Sequence, residues 1–312
     1  MARTRIVILG FVTLFAAACG PAASTTAPTA APATQAPASQ AAVVTPAPTQ
    51  NACAAANLKT LTAGKLTVGA DNPAYPPYYQ PDPSAAPGSV WELGDPLNGQ
   101  GLEGAVADAV ASKLGFTAAN IVWTPVPFNN AIQPGPKAFD IYLSQVSYTA
   151  DRAKAVDLSD GYFDQNQAVV AVKDSPITKV TTVAGLAAFK LGAQSSTTSY
   201  TYITDQIKPT KAASAYDTND LAVAAVGASQ IDGVVVDLPT AFYITGSGEL
   251  KDGVIVGVLP TAGPVEHFSI VLDLGSSLTP CVNQALAAIK ADGTLAQITN
   301  QWINSAGATE LK

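Results

Sequence analysis

Few residues in this chain could do covalent chemistry. His267 is its single histidine. Glu266 adjoins it, but no G-x-S-x-G turn is present to present a serine nucleophile. His267 therefore reads as a packed or surface residue. With one histidine and no Cys-x-x-Cys, no cluster has the ligand spacing of a zinc site, and no metal is expected. Neither G-x-x-x-x-G-K-[ST] nor G-x-G-x-x-G occurs, so no phosphate cradle is legible and no cofactor is expected. Nothing points to the paired carboxylates of glycoside chemistry. No catalytic residue is assigned.

What remains is a set of polar side chains just beyond short apolar runs. Ser144 ends "FDIYLS", and Gln145, Ser147 and Arg152 follow it within "SQVSYTADR". Ser196, Thr197 and Thr198 follow "KLGA" where a helix begins, Asp237 closes "IDGVVVD", and Asp71 closes "KLTVGA" a few residues before Tyr75 and Tyr78. An arginine fork with helix N-terminal amides suits a carboxylate. An aspartate at a neighbouring strand end suits an ammonium, and aromatic rings bury the body of a ligand. Taken one at a time, hydroxyls at helix starts are ordinary N-caps. Together these residues describe a site for a zwitterion.

The elements that must position them alternate. "KLTVGA", "NIVW", "FDIYLS", "QAVVAV", "KLGA", "IDGVVVD", "GVIVGVL" and "HFSIVLDL" read as strands. Between them, "GAVADAVASKLGF", "VAGLAAF", "SSTTSYTYITDQI" and "NDLAVAAVGAS" read as helices, and "PCVNQALAAIKADG" and "TLAQITNQWIN" close the chain. Strands alternating with helices imply open, mostly parallel sheets flanked by helices, with ligands at the strand carboxyl ends. The stretch from Gln80 to Gly101 is rich in Pro and Gly, long for a compact domain, and contains Trp91 as a lid or packing residue.

The start of the chain reads as an address. Residues 1–18 carry Arg3 and Arg5, then "IVILGFVTLFAAA", too short to span a bilayer, and read as a signal peptide. Three alanines, Cys19 and Gly20 resemble the cleavage box of bacterial lipoproteins, with Ala16 in the usual leucine position, which implies lipid on Cys19. Gly20 to Gln50 holds six prolines and no charge. It reads as a disordered tether spanning about 30 Å as a flexible coil, so residues 19–56 are assigned to a lipidated linker. Cys53 and Cys281 remain as an even pair in an exported, oxidising compartment, and a disulfide is expected between them. Without the signal, 16 basic residues less Arg3 and Arg5 leave 14 against 23 acidic, a net charge of −9. That balance disfavours nucleic acid as a partner.

The landmarks "GKLTVGADNPAYPPYY", "GLEGAVADAVASKLGF", "FDIYLSQVSYTADRAKAVDLSDGYF", "LGAQSSTTSY" and "IDGVVVDLPTAF" follow one another in an order that resembles the family 3 solute-binding proteins of ABC importers. The resemblance covers nearly all of the folded part. It implies a two-lobed α/β architecture, the type II fold of periplasmic binding proteins, with the ligand cleft between lobes. Lobe 1 would comprise 57–163 and 263–312, and lobe 2 164–262. Arg152, assisted by Ser147, Ser196 and Thr197, would hold the carboxylate of an amino acid. Asp237, helped by the Gln145 carbonyl, would hold its ammonium. Tyr75 and Phe128 would sandwich the ligand, with Asp71 and Glu103 facing its side chain, polar or cationic by preference. Ser195 in a usual glycine position, the residue added in Asn72-Pro73-Ala74 and the longer Trp91 loop depart from the pattern.

The implied role is capture and delivery to a membrane permease, not catalysis, by a monomer anchored outside the cytoplasmic membrane. Two alternatives stand beside it. One is a cleft enzyme such as a cyclohexadienyl dehydratase, with Glu103 or Asp71 as its acid. The other is a receptor domain feeding a sensor.

Overall fold

Four of the five strands in each of two sheets run in one direction, and the fifth runs against them. In the first sheet, β1 (Leu66–Ala70) pairs in parallel with β2 (Ile121–Pro125) and β3 (Ile141–Tyr142). β4 (Asp157–Leu158) completes the sheet in the order β2-β1-β3-β12-β4, and β12 (Val271–Leu272) is antiparallel to both its neighbours. The second sheet has the order β10-β6-β9-β7-β8. Its strands are β6 (Gln167–Val172), β7 (Leu191–Gln194), β8 (Ser214–Tyr216), β9 (Gly233–Asp237) and β10 (Gly253–Leu259). β7 is parallel to β8 and β9, while β6 opposes β9 and β10. The reversed strands, β6 and β12, are those entered straight from a crossing between lobes, without a helical crossover to turn the chain.

The crossing is a two-stranded ribbon of β5 (Phe163–Gln165) and β11 (Glu266–Phe268), with Gln165 opposite Glu266 and Phe163 opposite Phe268. His267 lies on this ribbon, stacked on Tyr148 with 5.6 Å between ring centroids. The architecture is a two-lobed α/β fold.

This computed structural model describes residues 52–85, 87–261, 263–303 and 307–312. The expected signal peptide 1–18, the lipidated Cys19 and the linker as far as residue 51 lie outside the described residues. At the other end of that expected linker, Cys53 is buried and bonded to Cys281 at the start of α6 (Thr279–Ala291). Residues 52–56 thus sit on the fold rather than in the tether.

β6 and β9 are buried along nearly their whole length, which is why they read as unbroken apolar runs instead of alternating ones. In α1 (Leu102–Lys113), Leu102, Val106 and Val110 form one buried stripe, and Glu103, Ala107 and Ala111 form a second beside it. The helix begins at Gly101, φ 99°, where a side chain would run into the Tyr78 carbonyl. α4 (Asn219–Gly227) and α5 (Leu238–Ser247) flank the second sheet, and α6 and α7 (Thr294–Trp302) pack with α1. Phe128–Ala131 forms the short α2, and Thr198–Tyr202 the short α3, which runs on through a π-turn at Ile203–Ile207.

The last residues depart from the expected lobe 1 range of 263–312. Leu311 donates its N–H to the Val258 carbonyl at 2.9 Å and is buried with Val169, Val235 and Leu259 of the second sheet. The tail follows the apolar face that Leu311 can cover. The Gln80–Gly101 loop is docked, not draped over the cleft. Asn72 donates to the Val90 carbonyl and accepts from the Glu92 N–H at 2.9 Å, and Trp91 packs against the main hydrophobic core.

Candidate functional site

The site assembles from the carboxyl ends of the parallel strands of both sheets. Asp71 follows β1, Phe128 follows β2, and Ser144 and Gln145 follow β3. From the other lobe, Gln194 ends β7, Thr218 and Asn219 follow β8, and Asp237 ends β9. These residues, with Pro73, Tyr75 and Thr197, line a narrow space of about 30 Å³ between the lobes. A second, equally narrow chamber of about 20 Å³ shares Phe128, Gln145, Thr197, Asn219 and Asp237 with the first. It adds Arg152, Thr198, Ser199 and Val236.

One end of this space carries the complementary charges. Arg152 is buried, with Nη1 donating to the Ser147 carbonyl at 2.6 Å and Nη2 to the Ser196 carbonyl at 2.8 Å. Its guanidinium lies over the Phe128 ring, 5.4 Å from the centroid. Burial lowers its pKa to about 10, opposed by Glu266 and Asp237, so it stays a cation at neutral pH. The first-turn amides of α3 have no partner within the helix. Thr197 caps that helix, accepting from the Tyr200 N–H at 3.1 Å and donating to the Gln194 carbonyl at 2.6 Å.

The Asp237 carboxylate opens on both chambers and accepts no hydrogen bond from the described residues. Burial pushes its pKa well up, as do Glu266 and Glu103, and Arg152 opposes them. A guanidinium and an underserved carboxylate side by side can hold a carboxylate and an ammonium.

At the other end, the Asp71 carboxylate accepts from the N–H groups of Asn72 (2.9 Å) and Phe128 (3.2 Å) and from Gln194 Nε2 at 3.1 Å. Burial raises its pKa against those donors. The Asp71 N–H donates to Ser144 Oγ at 2.7 Å, which locks the ends of β1 and β3 together. Tyr75 is buried, and its hydroxyl donates to Glu249 of the second lobe.

Three sequence-derived positions fall elsewhere. Glu103 does not line the space. It is fully buried on the inner stripe of α1, where its carboxylate accepts from the Gln145 N–H at 2.6 Å, from Gln145 Nε2 and from the Tyr162 hydroxyl. Burial raises its pKa to about 7 despite those donors. It acts one step back, holding Gln145 at φ 51°. Ser147 offers its carbonyl to Arg152, while its hydroxyl meets Thr198 Oγ1 at 3.5 Å. Ser196, at φ 61°, likewise contributes a carbonyl and faces an outer groove.

Gln194, Thr218 and Asn219 were missed, although the strand-end rule that selected Asp71 and Asp237 covers them equally. Glu249 carries no such signal. Ser195 takes a hydrogen bond from Asn129 Nδ2 across the cleft at 2.9 Å, so the side chain in a usual glycine position is used in lobe contact.

Residues 66–305 match the model of the bacterial extracellular solute-binding proteins, family 3. The chain belongs to that family. Among family relatives, the ABC transporter arginine-binding protein 1 of Escherichia coli (strain K12) is 30% identical over 172 residues, 53% of this chain and 67% of that protein. The structure of an ancestral arginine-binding protein bound to arginine superposes with a TM-score of 0.61 at 26% identity, covering 77% of this chain and 98% of the other. An ancestral amino acid-binding protein described as a precursor of cyclohexadienyl dehydratase gives 0.62 at 25% identity, covering 77% and 96%.

Proposed function

We propose that this chain is the substrate-binding component of an ABC importer, capturing a free amino acid between its lobes and delivering it to a membrane permease. The observation that carries the reading is the polarity of the space. Arg152 and the α3 amides adjoin Asp237 at one end, and Asp71 with Gln194 stands at the other. Arg152 and Asp71 belong to lobe 1, while Asp237, Thr197 and Gln194 belong to lobe 2. A zwitterion held by all of them has higher affinity for the closed form and selects it.

A cationic side chain suits the Asp71 end. Asp220 and Glu249 add negative charge there, and neither they nor Asp71 has an ion-pair partner among the described residues. The names of the relatives, which bind arginine, support the same choice. The exported, monomeric and Cys19-anchored state belongs to this proposal, as do lobes of about 57–163 with 263–303 and about 164–262 with the tail that carries Leu311. The test is a thermal-shift screen of the amino acids on the purified protein. A true ligand at about 100 times its Kd adds ~2.7 kcal/mol of apparent stability. Arginine or lysine is expected to give the largest shift, and no shift with any amino acid would sink the reading.

The likeness to the dehydratase precursor keeps a cleft enzyme as the second reading. Glu103, one of its two candidate acids, is bound to Gln145 and Tyr162 outside the space. Asp71 is then the remaining acid. Incubation with arogenate or prephenate decides, since formation of phenylalanine or phenylpyruvate is required of the enzyme and excluded for a pure binder.

A further inference from the structure

Tyr75 and Glu249 meet at the rim of the cleft from opposite lobes. Tyr75 stands four residues past Asp71, lines the binding space and is 4% exposed. Glu249 does not line that space. Its Oε1 accepts the Tyr75 hydroxyl, and its Oε2 is buried with no hydrogen-bond partner among the described residues. The Tyr75 ring also sets its edge against Tyr243, with centroids 5.8 Å apart and planes at 82°.

Helix α5 organises both contacts. It starts directly after Asp237 and carries Tyr243 midway. It ends at Gly248, whose φ of 79° lets the chain turn so that Glu249 comes back towards the cleft. The Glu249 N–H is steadied by Ser247 Oγ at 3.3 Å. One rigid rod of roughly 15 Å thus bears the candidate ammonium partner at its start and the Tyr75 acceptor just past its end. Tyr75 reaches that acceptor only when the lobes are together.

We propose that Glu249 is a positioning residue, a latch that accepts the Tyr75 hydroxyl on closure, fixes its ring against the binding space and slows ligand release. The proposal rests on the reading of the cleft as an amino-acid site. A hydroxyl-to-carboxylate bond is charge-assisted and stronger than a neutral one. Because it forms as the lobes close, its loss acts chiefly on koff, and Tyr75→Phe, which leaves the Glu249 charge in place, separates the bond from that charge.

The test is stopped-flow binding of L-arginine to the wild type, Glu249→Ala, Glu249→Gln, Tyr75→Phe and the Tyr75→Phe/Glu249→Ala double variant. Glu249→Ala and Tyr75→Phe are each expected to raise koff about tenfold, the scale of one hydrogen bond to a charged group. The double variant is expected to be no worse than either single one. Glu249→Gln keeps an acceptor and most of the slow release, and the ligand-free melting temperature stays with the wild type. Wild-type koff in Glu249→Ala, additive effects, or a matching loss of ligand-free stability would overturn the latch.

If wild type binds no amino acid, the proposed function fails separately. The latch is then read from spin labels at Lys59→Cys and Lys211→Cys. A closed fraction that drops in Glu249→Ala supports it, and an unchanged fraction refutes it.

Discussion

Arg152 Nη2 donates to the Ser196 carbonyl oxygen at 2.8 Å, from one lobe to the other, while Nη1 donates to Ser147 within its own lobe at 2.6 Å. One buried guanidinium therefore ties the two strand ends that frame the cleft, and it does so with two of its five N–H donors.

Arg152→Ala is expected to weaken arginine binding by about 100-fold or more and to cost about 1–3 kcal/mol of stability, because buried acceptors lose their donor. Arg152→Lys keeps the charge without the planar fork and recovers only part of the affinity. Titration calorimetry with urea unfolding separates the two effects. Unchanged affinity in Arg152→Ala would remove this residue from the site.

If Asp237 holds the ligand ammonium as proposed, it is expected to set the pH dependence of binding. Burial, with Glu266 and Glu103, raises its carboxyl pKa, and an ammonium ligand binds only the ionised form. Affinity is therefore expected to fall as pH drops through the raised pKa. Kd measured over a series of falling pH is expected to rise. Asp237→Asn is expected to abolish that trend and to weaken binding about 100-fold, a loss of ~2.7 kcal/mol. A pH-independent wild type would contradict the assignment.

Glu103 acts on stability. Its folded pKa of about 7 lies above the ordinary 4.5, so between those values the folded state holds the extra proton. Its contribution to stability is full below the unfolded pKa and is lost as pH rises towards 7. The slope approaches ~1.4 kcal/mol per pH unit. Urea unfolding of Glu103→Gln is expected to show a flatter profile over that range than the wild type, and an identical slope would refute this.

Cys53 and Cys281 close a loop with a sequence separation of 228. Reduction, or Cys281→Ser, is expected to cost about 2–5 kcal/mol and to lower the melting temperature, most simply by restricting the unfolded chain. Non-reducing peptide mapping checks the bond. Equal melting with and without reductant would show that it contributes nothing.

Much of the site was legible because its residues obey a topological rule. Asp71, Ser144, Gln145, Thr197 and Asp237 come directly after apolar runs, and parallel strands with their carboxyl ends on one side deliver such residues to a common crevice. Glu103 shows where that reasoning stopped. An acid in the first turn of a helix looks the same in sequence whether it faces a ligand or the core. Only the packing of α1 turned it inward, onto Gln145 and Tyr162. Ser147 and Ser196 were chosen for their hydroxyls, yet both serve Arg152 through backbone carbonyls, a choice made by chain conformation.

The sequence by itself determined the alternation of strands and helices, the even pair of cysteines and the strand-end residues. All of these depend on local pattern, composition or spacing. Tertiary structure alone decided that Tyr75 meets Glu249, that Gln194 reaches Asp71, and that Leu311 returns to the second sheet. Each of those contacts joins elements distant in sequence, and its geometry is set by how two sheets pack and by the ribbon that links them.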